Sequence, residues 1–170
     1  MKKKILVTRK LLIENEEKLK ELFDVKLNSK DELYTSDKII ELSKDCDGIL
    51  SAITDQFNKD LIEKLSSSIK IIANFAVGFG NIDVNAAAKK NIVVTNTPEV
   101  LDDSTADISI LLLLGASRKV LEARRAAELQ NWKWSADFML GKQMSNKRLG
   151  ILGMGRIGRA VAKRARGFNM

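Results

Sequence analysis

The stretch from Lys147 to Gly167, KRLGILGMGRIGRAVAKRARG, narrows the choice of fold more than any other part of the chain. Arg148 to Leu152 is a short apolar run suited to a buried parallel strand. Gly153, Gly155 and Gly158 then form a G-x-G-x-x-G turn. The residues that follow predict a helix. Ile157, Ala160, Val161, Ala165 and Phe168 share one face, and Arg159, Lys163 and Arg166 fall on the other. Gly167 stands where a helix takes its C-terminal glycine.

Each glycine has its own task in such a unit. Gly153 lets the chain turn tightly out of the strand, Gly155 lets a pyrophosphate approach the backbone, and Gly158 lets helix and strand pack closely. The unpaired N–H groups and positive dipole end of the helix then face the phosphates. A lone G-x-G-x-x-G is equally a plain glycine-rich turn; the strand before it and the helix after it point to nucleotide binding. The residue that grips the adenosine ribose is expected roughly 20 residues further on, at the end of a second strand. That position falls past Met170.

Histidine is absent from the 170 residues. His-dependent proton transfer, a Ser-His-Asp triad and a His-ligated metal site therefore cannot come from this chain. A single cysteine, Cys46, rules out an internal disulfide framework and, with no histidine, argues against a zinc site. It lies beside an apolar strand between Asp45 and Asp47 and reads as a packed thiol, not a nucleophile. The net charge of +7 is unevenly placed: residues 138–170 hold eight basic side chains and no acidic one. That cluster suits either a nucleic-acid-binding tail or a solvated helix face. The second reading is preferred, because no nucleic-acid motif or aromatic platform accompanies the charges. No signal peptide is visible, and the most apolar run, Ile108 to Ala116, is too short to span a bilayer. The default is a cytoplasmic protein with no nucleic-acid and no membrane partner.

From the start of the chain, short strands alternate with helices. Strands are predicted at Lys4 to Thr8, Val25 to Leu27, Asp47 to Ala52, Ile69 to Ala73 and Ile92 to Thr95. Helices are predicted at Glu14 to Phe23, at Asp37 to Leu42 capped by Ser36, at Lys59 to Leu65 capped by Asn58, and from Asn81 or Asp83 through Lys90. The alternation is that of a parallel sheet covered on both faces. Ligands of such sheets sit beyond the strand C-termini. Two loops there are candidates: Ser51 to Asp55, and Asn74 to Asn81 (NFAVGFGN). In the second, Gly78 and Gly80 permit backbone shapes that other residues resist, so the Val77 and Gly78 N–H groups can hold a small carboxylate. The same loop is also readable as a plain turn.

Pro98, the only proline, closes this sheet unit and places a hinge at Asn96 to Val100. A long helix is predicted from about Asp102 to Leu129, with Asp102, Asp103 and Ser104 loading its start. Its middle, Ile108 to Ala116, is apolar nearly all round and is expected to be buried between domains or between subunits. Asn131 to Gln143 carries both tryptophans and reads either as a docking arm or as a loop folded on its own core. Residues beyond Asn131 are expected to need cover.

Three motifs occur in order: Asn74 to Asp83 (NFAVGFGNID), Val93 to Asp107 (VVTNTPEVLDDSTAD) and Arg148 to Met170 (RLGILGMGRIGRAVAKRARGFNM). With them the chain resembles the D-isomer-specific 2-hydroxyacid dehydrogenases, in particular the glyoxylate and hydroxypyruvate reductases. Asn131 and Asn146 stand where the family often has glycine, both at peripheral positions. The resemblance implies an α/β architecture. A flavodoxin-like parallel-sheet substrate domain, of which residues 1–97 are the N-terminal portion, is followed over residues 98–170 by the start of a Rossmann cofactor domain. It implies a substrate carboxylate held at Val77 and Gly78. It also implies NAD or NADP held at Thr105, Gly153, Gly155, Arg156, Ile157 and Gly158, and a homodimer built through the 102–129 helix and the 131–143 arm. The family's catalytic arginine, glutamate and histidine have no matching position here. The expectation is the N-terminal part of an oxidoreductase that reduces a small 2-oxo acid to the 2-hydroxy acid, inactive by itself. The alternatives are a non-catalytic dimerising fragment and, last, a nucleic-acid binder.

Overall fold

The computed structural model describes residues 1–130 and 132–170. Asn131, expected to open the aromatic arm, lies outside the described residues. The chain divides into two compact units, Met1–Val100 and Leu101–Met170.

The first unit is a five-stranded, wholly parallel sheet in the order β2-β1-β3-β4-β5. Its elements are β1 (Lys4–Val7), α1 (Ile13–Leu22), β2 (Asp24–Lys26), α2 (Ser36–Ser43), β3 (Gly48–Ala52), α3 (Lys59–Lys64), β4 (Ile71–Phe75), α4 (Val84–Lys89) and β5 (Val93–Thr95). This is the flavodoxin-like order, in which the winding direction reverses between β1 and β3. In-register Leu6, Ile49 and Ile72 face α2, α3 and α4, and share a buried core with Ile39, Leu61, Ile62, Ala87 and Phe57. The caps on that side are sequence-local. Asn58 accepts from Leu61 N–H at 2.9 Å and Asp83 from Ala86 N–H at 2.9 Å. The α2 cap is Thr35 rather than the expected Ser36. Thr35 keeps an extended backbone and accepts from Lys38 N–H at 3.3 Å, while Ser36 has already entered the helix.

Among the described residues of unit 1, α1 is the one helix on the opposite sheet face, which is largely open. Ile71, Phe75 and Val93 point there and are 37%, 58% and 58% exposed. Phe75 and Leu50 meet Leu11, Leu19 and Leu22 in an apolar groove. A parallel sheet normally buries both faces.

In the second unit the expected single helix over 102–129 is two helices, α5 (Asp102–Ser117) and α6 (Val120–Leu129). Lys119 between them is left-handed (φ 52°), a conformation no α-helix can propagate. The Ser117 carbonyl freed by the break accepts from Lys142 N–H at 2.7 Å. Gly141 makes that approach possible, since a Cβ there would stand 2.5 Å from the Ser117 oxygen. The apolar middle of α5 is not buried within this chain. Among the residues of α5 only Ala106 and Ile110 are buried, and Ile108, Leu111 and Leu112 are 54%, 60% and 66% exposed.

The last helix, α7 (Arg156–Ala165), presents the predicted face inward: Ala165 is buried, Ile157, Ala160, Val161 and Phe168 are half-buried, and Arg159, Lys163 and Arg166 are exposed. It packs against α5 and is ion-paired to it, Arg164 to Asp103 at 3.0 Å and to Asp107 at 2.5 Å, and Arg156 to Asp102 at 3.5 Å. The left-handed C-terminal position is taken by Asn169 (φ 53°), not by Gly167, which sits inside a 3-10 turn over Arg166–Phe168. The expected strand Arg148–Leu152 is not formed. A strand is defined by its ladder, and no segment among the described residues pairs with this one. Leu152, left without a covering layer, is fully exposed.

Candidate functional site

Chemistry gathers at the carboxyl ends of the unit 1 strands. The Asn74–Asn81 loop leaves β4 and is fastened by buried asparagines. Asn74 donates to the Gly78 carbonyl at 2.9 Å and to Asn81 Oδ1 at 3.2 Å, while its own Oδ1 accepts from Ser51 Oγ at 3.1 Å. Asn81 donates to the carbonyls of Asp55 at 2.9 Å and Ala52 at 3.2 Å, joining this loop to the turn after β3. Buried Asp55 holds that turn by accepting from Ala52 N–H at 2.8 Å and from the Thr8 hydroxyl at the end of β1.

Three successive peptides of the loop are held by their oxygens. The carbonyl of Ala76 accepts from Thr97 N–H at 2.9 Å, that of Val77 from Asn96 Nδ2 at 2.7 Å, and that of Gly78 from Asn74 Nδ2. In a trans peptide the next N–H points opposite to the carbonyl. The amides of Val77, Gly78 and Phe79 are thereby turned the other way, and none of them donates to a protein acceptor among the described residues. Three consecutive unpaired amides make an anion-binding concavity. The sequence singled out Val77 and Gly78; Phe79 N–H and the asparagines behind the loop were missed. The legible signal was three asparagines, 74, 81 and 96, around one glycine pair, because Asn donates and accepts at once. The expected role of the glycines changes: neither Gly78 nor Gly80 has a positive φ. Each faces open space, so what they supply is room in front of the amides.

The reversal point between β1 and β3, where ligands of this sheet order commonly sit, is filled. Arg9 grips Asp31 with two nitrogens, at 2.8 and 3.0 Å, and donates to Thr54 at 2.8 Å. The Arg9 guanidinium, with Lys10 N–H, holds the Asp31 carboxyl down at about 2. A depressed carboxylate contributes stability that is present above its unfolded value, about 3.9, and is lost as pH falls through the folded value. Urea unfolding of unit 1 is therefore expected to weaken between pH 4 and 2 more steeply in the wild type than in Asp31→Asn, and 0.5 M salt should narrow the difference. Equal slopes for the two proteins would contradict this.

In unit 2 the predicted glycine turn is formed. Gly153 has φ 94°, which strongly favours glycine. Gly155 is the N-cap of α7 with nothing within 4 Å of where its Cβ would be, and among the described residues no side-chain cap bond closes the helix. At Gly158 a Cβ would stand 2.2 Å from the Gly153 oxygen. The first turn holds no acidic residue, and the amides of Ile157 and Gly158 find no protein acceptor among the described residues. These groups fit a diphosphate: donors at a helix N-terminus, open space at Gly155 and no negative side chain in the helix's first turn. Arg156 opens the helix and is ion-paired to Asp102. Thr105 is half-buried in α5, the helix on which α7 packs. Cys46 is buried in the core of unit 1, where desolvation pushes its thiol up.

Residues 5–163 match the family described as D-isomer specific 2-hydroxyacid dehydrogenase, catalytic domain. The chain is 45% identical over 173 residues to a glyoxylate reductase of Korarchaeum cryptofilum, covering 100% of this chain and 52% of that protein. It is 36% identical over 170 residues to a glycerate dehydrogenase of Hyphomicrobium methylovorum, covering 99% and 53%. It is also similar to the solved NADPH-dependent glyoxylate/hydroxypyruvate reductase of Sinorhizobium meliloti in complex with NADP and malonate. That likeness has a TM-score of 0.83 and 32% identity, over 99% of this chain and 51% of the other. The chain spans about half the length of the curated relatives it matches. The matched residues include the five-stranded parallel unit, the amide-lined loop and the glycine turn, and the chain belongs to the D-isomer-specific 2-hydroxyacid dehydrogenase family.

Proposed function

We propose that this chain is the N-terminal half of an NAD(P)-dependent reductase of small 2-oxo acids, with glyoxylate and hydroxypyruvate as the substrates. The observation that carries the reading is the row of outward amides at Val77, Gly78 and Phe79, which suits one small carboxylate. The glycine turn at Gly153, Gly155 and Gly158, with Arg156 and Ile157, holds the pyrophosphate of NAD or NADP, and Thr105 lies toward the nicotinamide. When bound, the nicotinamide supplies the hydride. The chain's own residues bind and orient; with no histidine in the sequence, the proton donor is assigned outside these residues. Residues 1–97 are read as the first portion of the substrate domain. Its uncovered sheet face, with Phe75 and Val93, receives the returning portion of that domain. The chain is read as cytoplasmic.

The test uses oxamate, an unreactive analogue carrying the carboxylate and carbonyl of a 2-oxo acid. In a ¹⁵N-labelled chain, oxamate is expected to shift the amides of Val77, Gly78 and Phe79 saturably, and the neutral diamide oxamide to leave them unmoved. Equal responses to both would remove the carboxylate reading.

A second reading has its own support. Ile108, Leu111 and Leu112 are exposed on α5 and Trp134 is 82% exposed in the arm, apolar area that the described residues leave uncovered. We read it as the homodimer surface, formed by the 102–129 segment and the 131–143 arm. Light scattering is expected to give twice the 18.9 kDa chain mass, and Leu112→Glu to return the protein to a monomer. A wild-type chain that scatters as a monomer would end this reading.

A further inference from the structure

Resting on the carboxylate reading of the loop, we infer that Asn96 is a positioning residue for substrate: it aims the Gly78 amide by holding the Val77 carbonyl. Asn96 lies beyond β5, well separated in sequence from the loop it holds, and its side chain donates to the Val77 oxygen at 2.7 Å. The neighbouring Thr97 amide holds the Ala76 oxygen at 2.9 Å. Two of the three peptides in the row are thus fixed from one short segment, and the third is fixed by Asn74 from within the loop. Gly78 and Gly80 impose no conformation of their own, since both keep ordinary φ and open surroundings. Without the Asn96 donor, the Val77–Gly78 peptide is free to rotate. An amide that samples several orientations loses the preorganisation that makes it worth more than water to an anion. Asn96 touches no substrate in this account; it acts through the peptide it holds.

The chemistry of the residue gives a test that a merely structural role would not satisfy. Asn96→Ala removes the donor. Asn96→Asp replaces it, at neutral pH, with a carboxylate facing the Val77 oxygen, acceptor against acceptor. When that carboxyl protonates in its ordinary range, about 3.9, an O–H donor returns. Oxamate stays ionised there. Titrations of the full 170-residue chain, followed at the amides of residues 77–79, are expected to show both variants binding oxamate at least tenfold more weakly at pH 7. Between pH 7 and 4, Asn96→Asp is expected to regain at least threefold, while wild type and Asn96→Ala stay level. Unmoved resonances elsewhere in unit 1 certify the fold. Binding by Asn96→Ala within twofold of wild type would overturn the inference and leave the carboxylate loop standing. So would an Asn96→Asp profile that runs parallel to that of Asn96→Ala. A wild-type chain with no saturable response would remove both.

Discussion

Incubated with NADH or NADPH and glyoxylate, the purified 170-residue chain is expected to oxidise no cofactor above the uncatalysed background. Reduction of a 2-oxo acid needs a hydride at the carbonyl carbon and a proton at its oxygen. On the function proposed above, the Asn74–Asn81 loop takes the carboxylate and the glycine turn the pyrophosphate, while the proton donor is assigned outside these residues. It has no histidine. The Cys46 thiol and the Tyr34 hydroxyl are both pushed above their ordinary values by burial, away from the neutral range. Both also belong with the α2–α4 core of unit 1, not with the Asn74–Asn81 loop. A positioned acid contributes roughly two to four orders of magnitude to such a reaction, and oriented electrostatics further orders. The check is nicotinamide absorbance under saturating glyoxylate, against the same chain denatured. Turnover near the enzyme range, on the order of 1 s⁻¹ or more, would show that a proton source within these residues has been overlooked.

The parallel sheet was legible because each strand is a short apolar run and each helix on the α2–α4 side carries its own start signal, Asn58 and Asp83 being the clearest. The order β2-β1-β3-β4-β5 was not legible from those runs. Strand order is set by which crossovers pack, and it entered only through the family resemblance. The glycine turn was legible down to single residues, because steric demands at Gly153 and Gly158 admit almost nothing else. The sequence misled where a segment's state depends on a neighbour. Arg148 to Leu152 has strand composition and no ladder among the described residues. Such a pattern describes what a segment suits, and only packing decides what it does. The break at Lys119 carried no local mark at all. Its signal lies in Gly141, far along the chain, which only a structure shows to rest on Ser117.

Gly158→Val is expected to destabilise the second unit by about 3 kcal/mol, at the upper end of overpacking costs. The reason is geometric. A Cβ at this position would meet the Gly153 backbone oxygen at 2.2 Å and the Ile151 side chain at 3.5 Å. The first contact is with backbone, so no rotamer relieves it. Relief requires α7 to move off the Gly153 turn, and that motion strains the ion pairs of Arg164 with Asp103 and Asp107. A β-branched side chain adds a small helix penalty. Gly155→Ala is the informative control. Its Cβ would enter open space at an ordinary φ of −74°, so the fold should lose about 1 kcal/mol or less. Binding of NADH or of a simple diphosphate should nevertheless fall at least tenfold, because the methyl occupies the room through which phosphate reaches the amides. Both tryptophans, Trp132 and Trp134, lie in the second unit, so their fluorescence reports its denaturation separately from the first. The contrast separates two roles that the bare motif merges: we assign Gly158 to the fold, where its Cβ has no room, and propose Gly155 for the ligand, where space is open. A Gly158→Val chain with a wild-type unfolding midpoint would refute the first assignment, and undiminished diphosphate binding by Gly155→Ala the second.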